Sequence, residues 1–507
     1  MRRRELLKVM GALPLSSTTT PLLQAQGTQP ARYQPDWASL DQRPTPGWYT
    51  NAKFGIFIHW GVYSVPAFAA PNVKDENPYA EWYWNSLTSG MDAKGPTGNG
   101  ALTWEFHKRV YGPDFPYFDF APMFRAEFFD ADAWADLFVR SGAKYVALTS
   151  KHHEGFTLWR SAEANRSWGR AWNSVDIGPK RDLVRELTDA GRRKGLHMGI
   201  YYSLYEWYNP LWLSDKPRYV TQHLFPQFKD IVTHVKPEII FSDGEWELTS
   251  EQWHSPELLA WLFNESPVKD SIVIDDRWGS DTRHKHGGYH TTEYTSGMQA
   301  SNHPWEESRG MGYSYGYNRM ETLKDYHTGR QLVLMLIDIV SRGGNLLLDI
   351  GPRADGHIPV IMEERLTQIG DWLRPNGEAI YDTHAWARPA QWSGGTIPQM
   401  EQKEFRAEYD ITNLVDNPRS GYARVDAFFT AKEDVVYAIL PRWPEGEFVL
   451  RDLTPVSGAK ITLIGGGELR WREDGKSIRV EVPQRLRATV PVQEAYVLKM
   501  SGIKNAA

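Results

Sequence analysis

The chain predicts an α/β fold, a (β/α)8-like barrel followed by a C-terminal antiparallel β-sandwich, and three observations predict it. Short apolar β-prone runs alternate with amphipathic helical segments from about residue 48 onward. Several of those runs end in polar or aromatic residues, which a barrel gathers on one face. Past Tyr381 the alternation gives way to short β-prone runs separated by Gly- and Pro-rich turns.

The predicted barrel strands are Phe54–His59, Tyr145–Ser150, His197–Ser203, Glu238–Ser242, Ile272–Asp275 and Asn345–Ile350, with helices at Ala131–Ser141, Lys180–Lys194 and Glu363–Leu373. Strand-end residues expected at the barrel mouth are His59-Trp60, Lys151-His152-His153, Tyr202-Ser203, Asp243-Gly244 and Asp276-Arg277. A doubly wound open sheet is the alternative, but no G-x-G-x-x-G turn follows the first strand. Residues 90–101, with four glycines, read as a long loop near the mouth. The sandwich strands are Val425–Phe429, Val435–Leu440, Phe448–Leu450, Lys460–Leu463, Ser477–Val482 and Ala495–Met500.

The 507 residues therefore divide into an export signal over 1–27, a barrel over 35–385 and a sandwich over 386–507. The signal reading rests on Arg2-Arg3-Arg4-Glu5-Leu6-Leu7-Lys8, a basic, twin-arginine-like start before the mildly apolar stretch Val9–Leu23. It implies export to the periplasm or beyond. No other segment approaches the ~18 apolar residues of a membrane span, so no membrane partner is expected. A net charge of −6 with interspersed signs makes nucleic acid a poor partner. The absence of cysteine excludes disulfides and thiolate chemistry. Aromatic residues reach 13 %, with 22 Trp, an excess suited to stacking on sugar rings. Oligomerisation stays open.

The strongest local signal is Pro237-Glu238-Ile239-Ile240-Phe241-Ser242-Asp243-Gly244-Glu245-Trp246-Glu247. A buried strand runs into an acid and then a glycine, which throws Asp243 onto the rim, where an ionised carboxylate can attack an anomeric carbon. The bland alternative is a helix N-cap. A second carboxyl ~5–5.5 Å away is what a retaining glycosidase needs. Glu293, Glu306-Glu307, Glu81 and Glu154 are the candidates, and spacing alone does not choose. His59 and His152-His153 invite a metal reading. Adjacent strand histidines point to opposite sides, however, so only one of the pair would join His59. There is no His-Glu-x-x-His, and Asp130-Ala131-Asp132 reads as a helix cap. Hydrogen bonding to sugar hydroxyls is the better use of these histidines. No cofactor is called for.

Residues 53–66 (KFGIFIHWGVYSVP), Lys151-His152-His153-Glu154-Gly155-Phe156, residues 199–207 (GIYYSLYEW) and Ser242-Asp243-Gly244-Glu245-Trp246 together resemble the motifs of glycoside hydrolase family 29, the α-L-fucosidases. Asp276-Arg277-Trp278-Gly279, Ser314-Tyr315-Gly316-Tyr317-Asn318 and residues 343–352 (GGNLLLDIGP) follow in the family's order, spanning roughly residues 35–385. The resemblance implies a retaining exo-acting α-L-fucosidase acting on fucosylated glycans. It places the nucleophile at Asp243 and the acid/base at Glu293, with Glu306 the second candidate. It places substrate contacts at His59, Glu81, Trp82, His152, His153, Tyr202 and Arg277, with Phe241 and Tyr315 against the sugar ring or its methyl group. Phe241 departs from the Trp of many members and lacks an indole donor.

Overall fold

The computed structural model describes residues 32–91, 99–299, 301–401, 405–407, 409–444 and 446–505. The export-signal reading over 1–27 lies outside the described residues, as does much of the 90–101 loop.

Eight parallel strands form one curled sheet: β1 (Phe54–Ile58), β2 (Tyr145–Lys151), β3 (His197–Ser203), β4 (Ile239–Asp243), β5 (Val273–Ile274), β6 (His290–Glu293), β7 (Trp305–Gly310) and β8 (Asn345–Ile350). Their spatial order is β5-β4-β3-β2-β1-β8-β7-β6, so β5 and β6 are the sheet's edges. The amides of Gly288 and Tyr289 reach the Ile274 carbonyl at 3.1 and 3.3 Å and span that seam. The strands read as almost unbroken apolar runs because both faces are covered. Phe57, Tyr145, Ala147, Tyr201, Ile239, Phe241, Val273 and Leu347 fill the interior together. Ile56, Ile58, Ile200, Tyr202 and Ile240 face the surrounding helices, including Ala131–Arg140, Leu183–Arg193, Phe225–Val235 and Gly329–Ser341. Asp130 caps the first of these by accepting from the amides of Asp132 and Ala133.

Strands β6 and β7 escaped the sequence reading because they are polar. Part of that polarity is paired between them: Glu307, on one face of β7, accepts from the Thr292 hydroxyl at 2.6 Å and the Thr295 amide at 2.7 Å. Neither strand is preceded by a full helix, so the barrel is less regular on this side.

The C-terminal region holds a six-stranded mainly antiparallel sheet and a three-stranded one. The larger contains β9 (His384–Trp392), β10 (Val425–Lys432), β11 (Val435–Leu440), Leu453–Leu463, Gly467–Glu468 and Tyr496–Asn505. Strand β9 was not anticipated. Alternation decides the packing. Phe429, Val436, Ala438 and Leu498 face the small sheet and meet Leu450, Ile478 and Val480. Phe428, Tyr437, Ile439 and Val497 face the other way and join the barrel's core. Trp372 Nε1 donates to the Ala495 carbonyl at 3.0 Å and the Thr430 hydroxyl donates to Ala379 at 2.7 Å, pinning the two parts together.

Candidate active site

A cavity of about 690 Å³ opens at the C-terminal ends of the barrel strands, the face where such folds carry chemistry. Its lining includes His59, Glu81, Trp82, His152, Phe241, Asp243, Arg277, Glu293 and Tyr315, nine of the eleven residues expected from the sequence.

Asp243 ends β4. Gly244 follows with φ +74°, and a Cβ there would meet the Tyr205 ring at 2.4 Å, so the turn requires glycine. Asp243 is buried but not sealed, its side chain 11 % exposed. Arg277 Nη1 donates to Asp243 Oδ1 at 2.9 Å, and Nη2 of the same guanidinium donates to Glu293 Oε2 at 3.0 Å. Arg277 Nε donates to the Thr291 hydroxyl at 3.0 Å and the guanidinium lies over the Phe241 ring, which fixes the fork. One planar cation thus holds two carboxylates side by side in one cavity. Burial opposes the charge on Asp243, but Arg277, then His153 and Arg283, outweigh it and hold the carboxyl well below the usual range. The Tyr201 hydroxyl adds a hydrogen bond to Asp243 Oδ2 at 2.8 Å.

Two expected residues stand elsewhere. Tyr202 does not reach the cavity: its hydroxyl donates to Gln227 Oε1 at 2.8 Å and its ring packs on Phe228 in the helix layer. Strand alternation is the reason, since Tyr201 pairs with Phe241 and Ser203 with Asp243, leaving Tyr202 on the outer face. Its neighbour Tyr201 takes the inner position. His153 is absent from the lining and sits behind the nucleophile candidate, Nδ1 2.6 Å from Ser203 Oγ and Nε2 3.5 Å from Asp243 Oδ2. Burial and His152 push it down to about 3, so it is neutral. Both adjacent histidines nevertheless serve the site. Only His152 of the pair joins His59 at the cavity, as expected, although both lie in the turn after β2 ends at Lys151 rather than on the strand itself.

Glu306 is also outside the lining. It points into the barrel interior, where the hydroxyls of Tyr49 and Tyr145 both donate to Oε2. Glu293, by contrast, has its side chain 15 % exposed into the cavity. His59 stacks on Tyr315 with centroids 4.7 Å apart, and its Nδ1 lies 2.7 Å from Asp349 Oδ1. Burial and the neighbouring histidine His152 hold it well below its ordinary value. Glu81 accepts from the Gly316 amide at 2.8 Å and the Ser314 hydroxyl at 3.1 Å, while its Oε1 has no hydrogen-bond partner among the described residues. Its carboxyl is raised by burial, with His152 opposing.

Sequence reasoning missed Phe57, Tyr79, Tyr201, Glu245, Trp246, Arg283 and Phe405, all of which line the cavity. Strand phase could have found Phe57 and Tyr201, two residues before strand-end His59 and Ser203 respectively. Arg283 Nε donates to Glu245 Oε1 at 2.6 Å, which neutralises that buried carboxylate in place. Among the described residues, no group of three or more His, Asp or Glu is arranged to hold a metal ion, and no helix is long and apolar enough to cross a membrane.

Comparison with known proteins gives the family. The family profile described as alpha-L-fucosidase matches residues 21–378, and that of the alpha-L-fucosidase C-terminal domain matches 422–501. The chain is 41 % identical to the tissue alpha-L-fucosidase of Homo sapiens over 487 residues, covering 94 % of this chain and 93 % of that one. It is 46 % identical to the alpha-L-fucosidase of Dictyostelium discoideum over 364 residues, 70 % of this chain and 75 % of the other. The Thermotoga maritima alpha-fucosidase solved with fucose superimposes with a TM-score of 0.72 at 34 % identity, covering 92 % of this chain and all of that one (100 %). The chain belongs to the α-L-fucosidase family of glycosidases.

Proposed function

We propose that this chain is a retaining exo-α-L-fucosidase that hydrolyses terminal α-L-fucosyl linkages by double displacement. Asp243 is the nucleophile and Glu293 the acid/base. The observation that carries the reading is the single guanidinium of Arg277 shared by both carboxylates at the floor of one cavity. In the first step Asp243 Oδ attacks the anomeric carbon while Glu293 gives its proton to the departing oxygen, leaving a covalent fucosyl ester. In the second, Glu293 takes a proton from water and that water breaks the ester, restoring the α configuration. The depressed acidity range of Asp243 keeps it anionic to meet the positive charge that builds at the sugar. Fucose is uncharged and carries a methyl group, which suits a pocket combining His59, His152 and Glu81 with the rings of Phe57, Phe241 and Tyr315. The substrate partner is accordingly a fucosylated glycan or glycoconjugate, and the basic start of the chain supports export.

Azide rescue with an activated aryl fucoside tests the assignment. Asp243→Gly should be inert alone and, with azide, should give β-fucosyl azide. An α-azide from that variant would overturn the nucleophile assignment. Glu293→Ala should give the α-azide through the intact intermediate, and recovery of that product from Glu306→Ala instead would move the acid/base role. Two rivals fall to simple controls. Turnover that dies with EDTA would favour a metal-dependent hydrolase, and fucoside binding with no release between about pH 4 and 8 would leave only a glycan-binding barrel.

A further inference from the structure

Between the two stretches that match the family, which end at 378 and resume at 422, the chain leaves the barrel through β9 and then returns to its mouth. There Phe405 forms a parallel bridge with Glu293. The Arg406 amide donates to the Glu293 carbonyl at 3.0 Å and the Ala407 amide to Tyr294 at 3.2 Å. Strand β6 is an edge of the curled sheet, and an edge presents unpaired backbone groups that another segment can occupy. Residues 405–407 occupy it. Arg406 locks the attachment: its Nε donates to the Tyr79 hydroxyl at 3.0 Å, and the guanidinium lies 4.5 Å over the Tyr79 ring.

This anchoring places an aromatic side chain where burial does not explain it. Phe405 lines the cavity yet is 44 % exposed, and its ring lies 6.3 Å from that of Tyr79. The other exposed aromatic of the lining, Trp246 at 40 %, stands on the Asp243 side against Trp82 and His153. Among the described residues of the lining, Phe405 is the exposed aromatic tied to the Glu293 strand. If Glu293 protonates the departing oxygen, the group attached to that oxygen lies outward of Glu293, on the side where Phe405 is held.

We propose that Phe405 is a specificity-determining residue, a platform on which the ring of the leaving group stacks, whether the adjoining sugar of a glycan or an aryl unit. The inference rests on the fucosidase reading above. A pyranose presents an apolar C–H face, and stacking on an aromatic of this kind is worth about a factor of ten.

The test compares wild type, Phe405→Ala and Phe405→Tyr on two substrates: α-L-fucosyl fluoride, whose leaving group has no ring, and the α-fucosyl disaccharide that wild type cleaves fastest in a linkage panel. The readout is the ratio of kcat/KM for the disaccharide to kcat/KM for the fluoride. It should fall about tenfold in Phe405→Ala and stay within about twofold of wild type in Phe405→Tyr. A ratio unchanged in Phe405→Ala, with both rates intact or both reduced together, overturns the platform and leaves a structural side chain. Wild type inert on both substrates sinks the fucosidase reading itself, and this inference with it.

Discussion

Replacing Arg277 by methionine removes the positive charge that separates Asp243 from Glu293, and the acid limb of the pH–rate profile should report it. Arg277 stands 2.9 Å from Asp243 and 3.0 Å from Glu293 and is 1 % exposed. Unit charges at ~4 Å interact by ~4 kcal/mol at an effective dielectric of ~20. Arg283, 3.9 Å from Asp243, remains in the variant and keeps part of the carboxylate's stabilisation. The acid limb should therefore move. Its direction follows from the chemistry. In the proposed role of nucleophile Asp243 would attack only when ionised, and its depressed range keeps it ionised into acid. Without Arg277, burial is left to favour the protonated form, so activity is lost at a higher pH on the acid side.

The assay is kcat/KM for an aryl fucoside across the acid range, on protein shown to be folded, because removing one partner of a buried ion pair costs ~3–5 kcal/mol. Arg277→Lys provides the second point. It keeps the charge but lacks the fork, so one ammonium cannot serve Asp243 and Glu293 at once. Its acid limb should lie nearer wild type while kcat stays low. An Arg277→Met enzyme that is folded and active, with its acid limb unmoved, would refute the claim that this guanidinium sets the charge state of the nucleophile.

Other expectations follow from neighbouring side chains. Tyr201→Phe deletes the 2.8 Å hydrogen bond to Asp243, a charge-assisted bond worth ~1.5–3 kcal/mol, so kcat/KM should fall about ten- to a hundredfold. Tyr202→Phe loses only a bond to Gln227; it should cost ~1 kcal/mol of stability with kcat/KM unchanged, and equal kinetic losses in the two variants would contradict the strand phase. Burial pushes the Glu306 carboxyl up from 4.5 to about 7 despite the opposing hydrogen bonds from Tyr145 and Tyr49. The folded state therefore holds a proton that the unfolded chain releases, a contribution present below about pH 4.5 and lost as pH rises through about 7. Glu306→Gln imitates the protonated acid and should flatten that decline, read by denaturant unfolding at pH 5 and pH 8; an unaltered difference between the two would show that Glu306 does not titrate there.

The parts of the site visible in the sequence were those that local chemistry announces. A β-run ending in Asp-Gly marks the nucleophile candidate because the turn needs glycine at positive φ, and that requirement leaves a trace in one chain. Strands β1 to β5 and β8 were visible as apolar runs. Strands β6 and β7 were not, because they carry buried Thr and Glu whose partners lie elsewhere in the fold, Thr292 on Glu307 and Glu306 on Tyr49, and no window of sequence shows that pairing. The choice of Tyr202 over Tyr201 failed for a related reason. Two adjacent tyrosines are chemically equal in the sequence, and only the register against β4 decides which one faces Asp243.

Phe405 is the extreme case, and its position has a consequence for how this site varies. Its distance from Glu293 along the chain is more than a hundred residues, and it stands outside both family-matched stretches. It is held by backbone bonds from Arg406 and Ala407 to β6, and such bonds depend little on side-chain identity. The clamp on Tyr79 is the one part that requires a particular residue, Arg406. A segment attached this way can exchange the side chain it presents without disturbing Asp243, Arg277 or Glu293, which are fixed by β4, the turn after β5, and β6. On the proposed assignments the barrel fixes the reaction, and a segment from beyond it sets what departs.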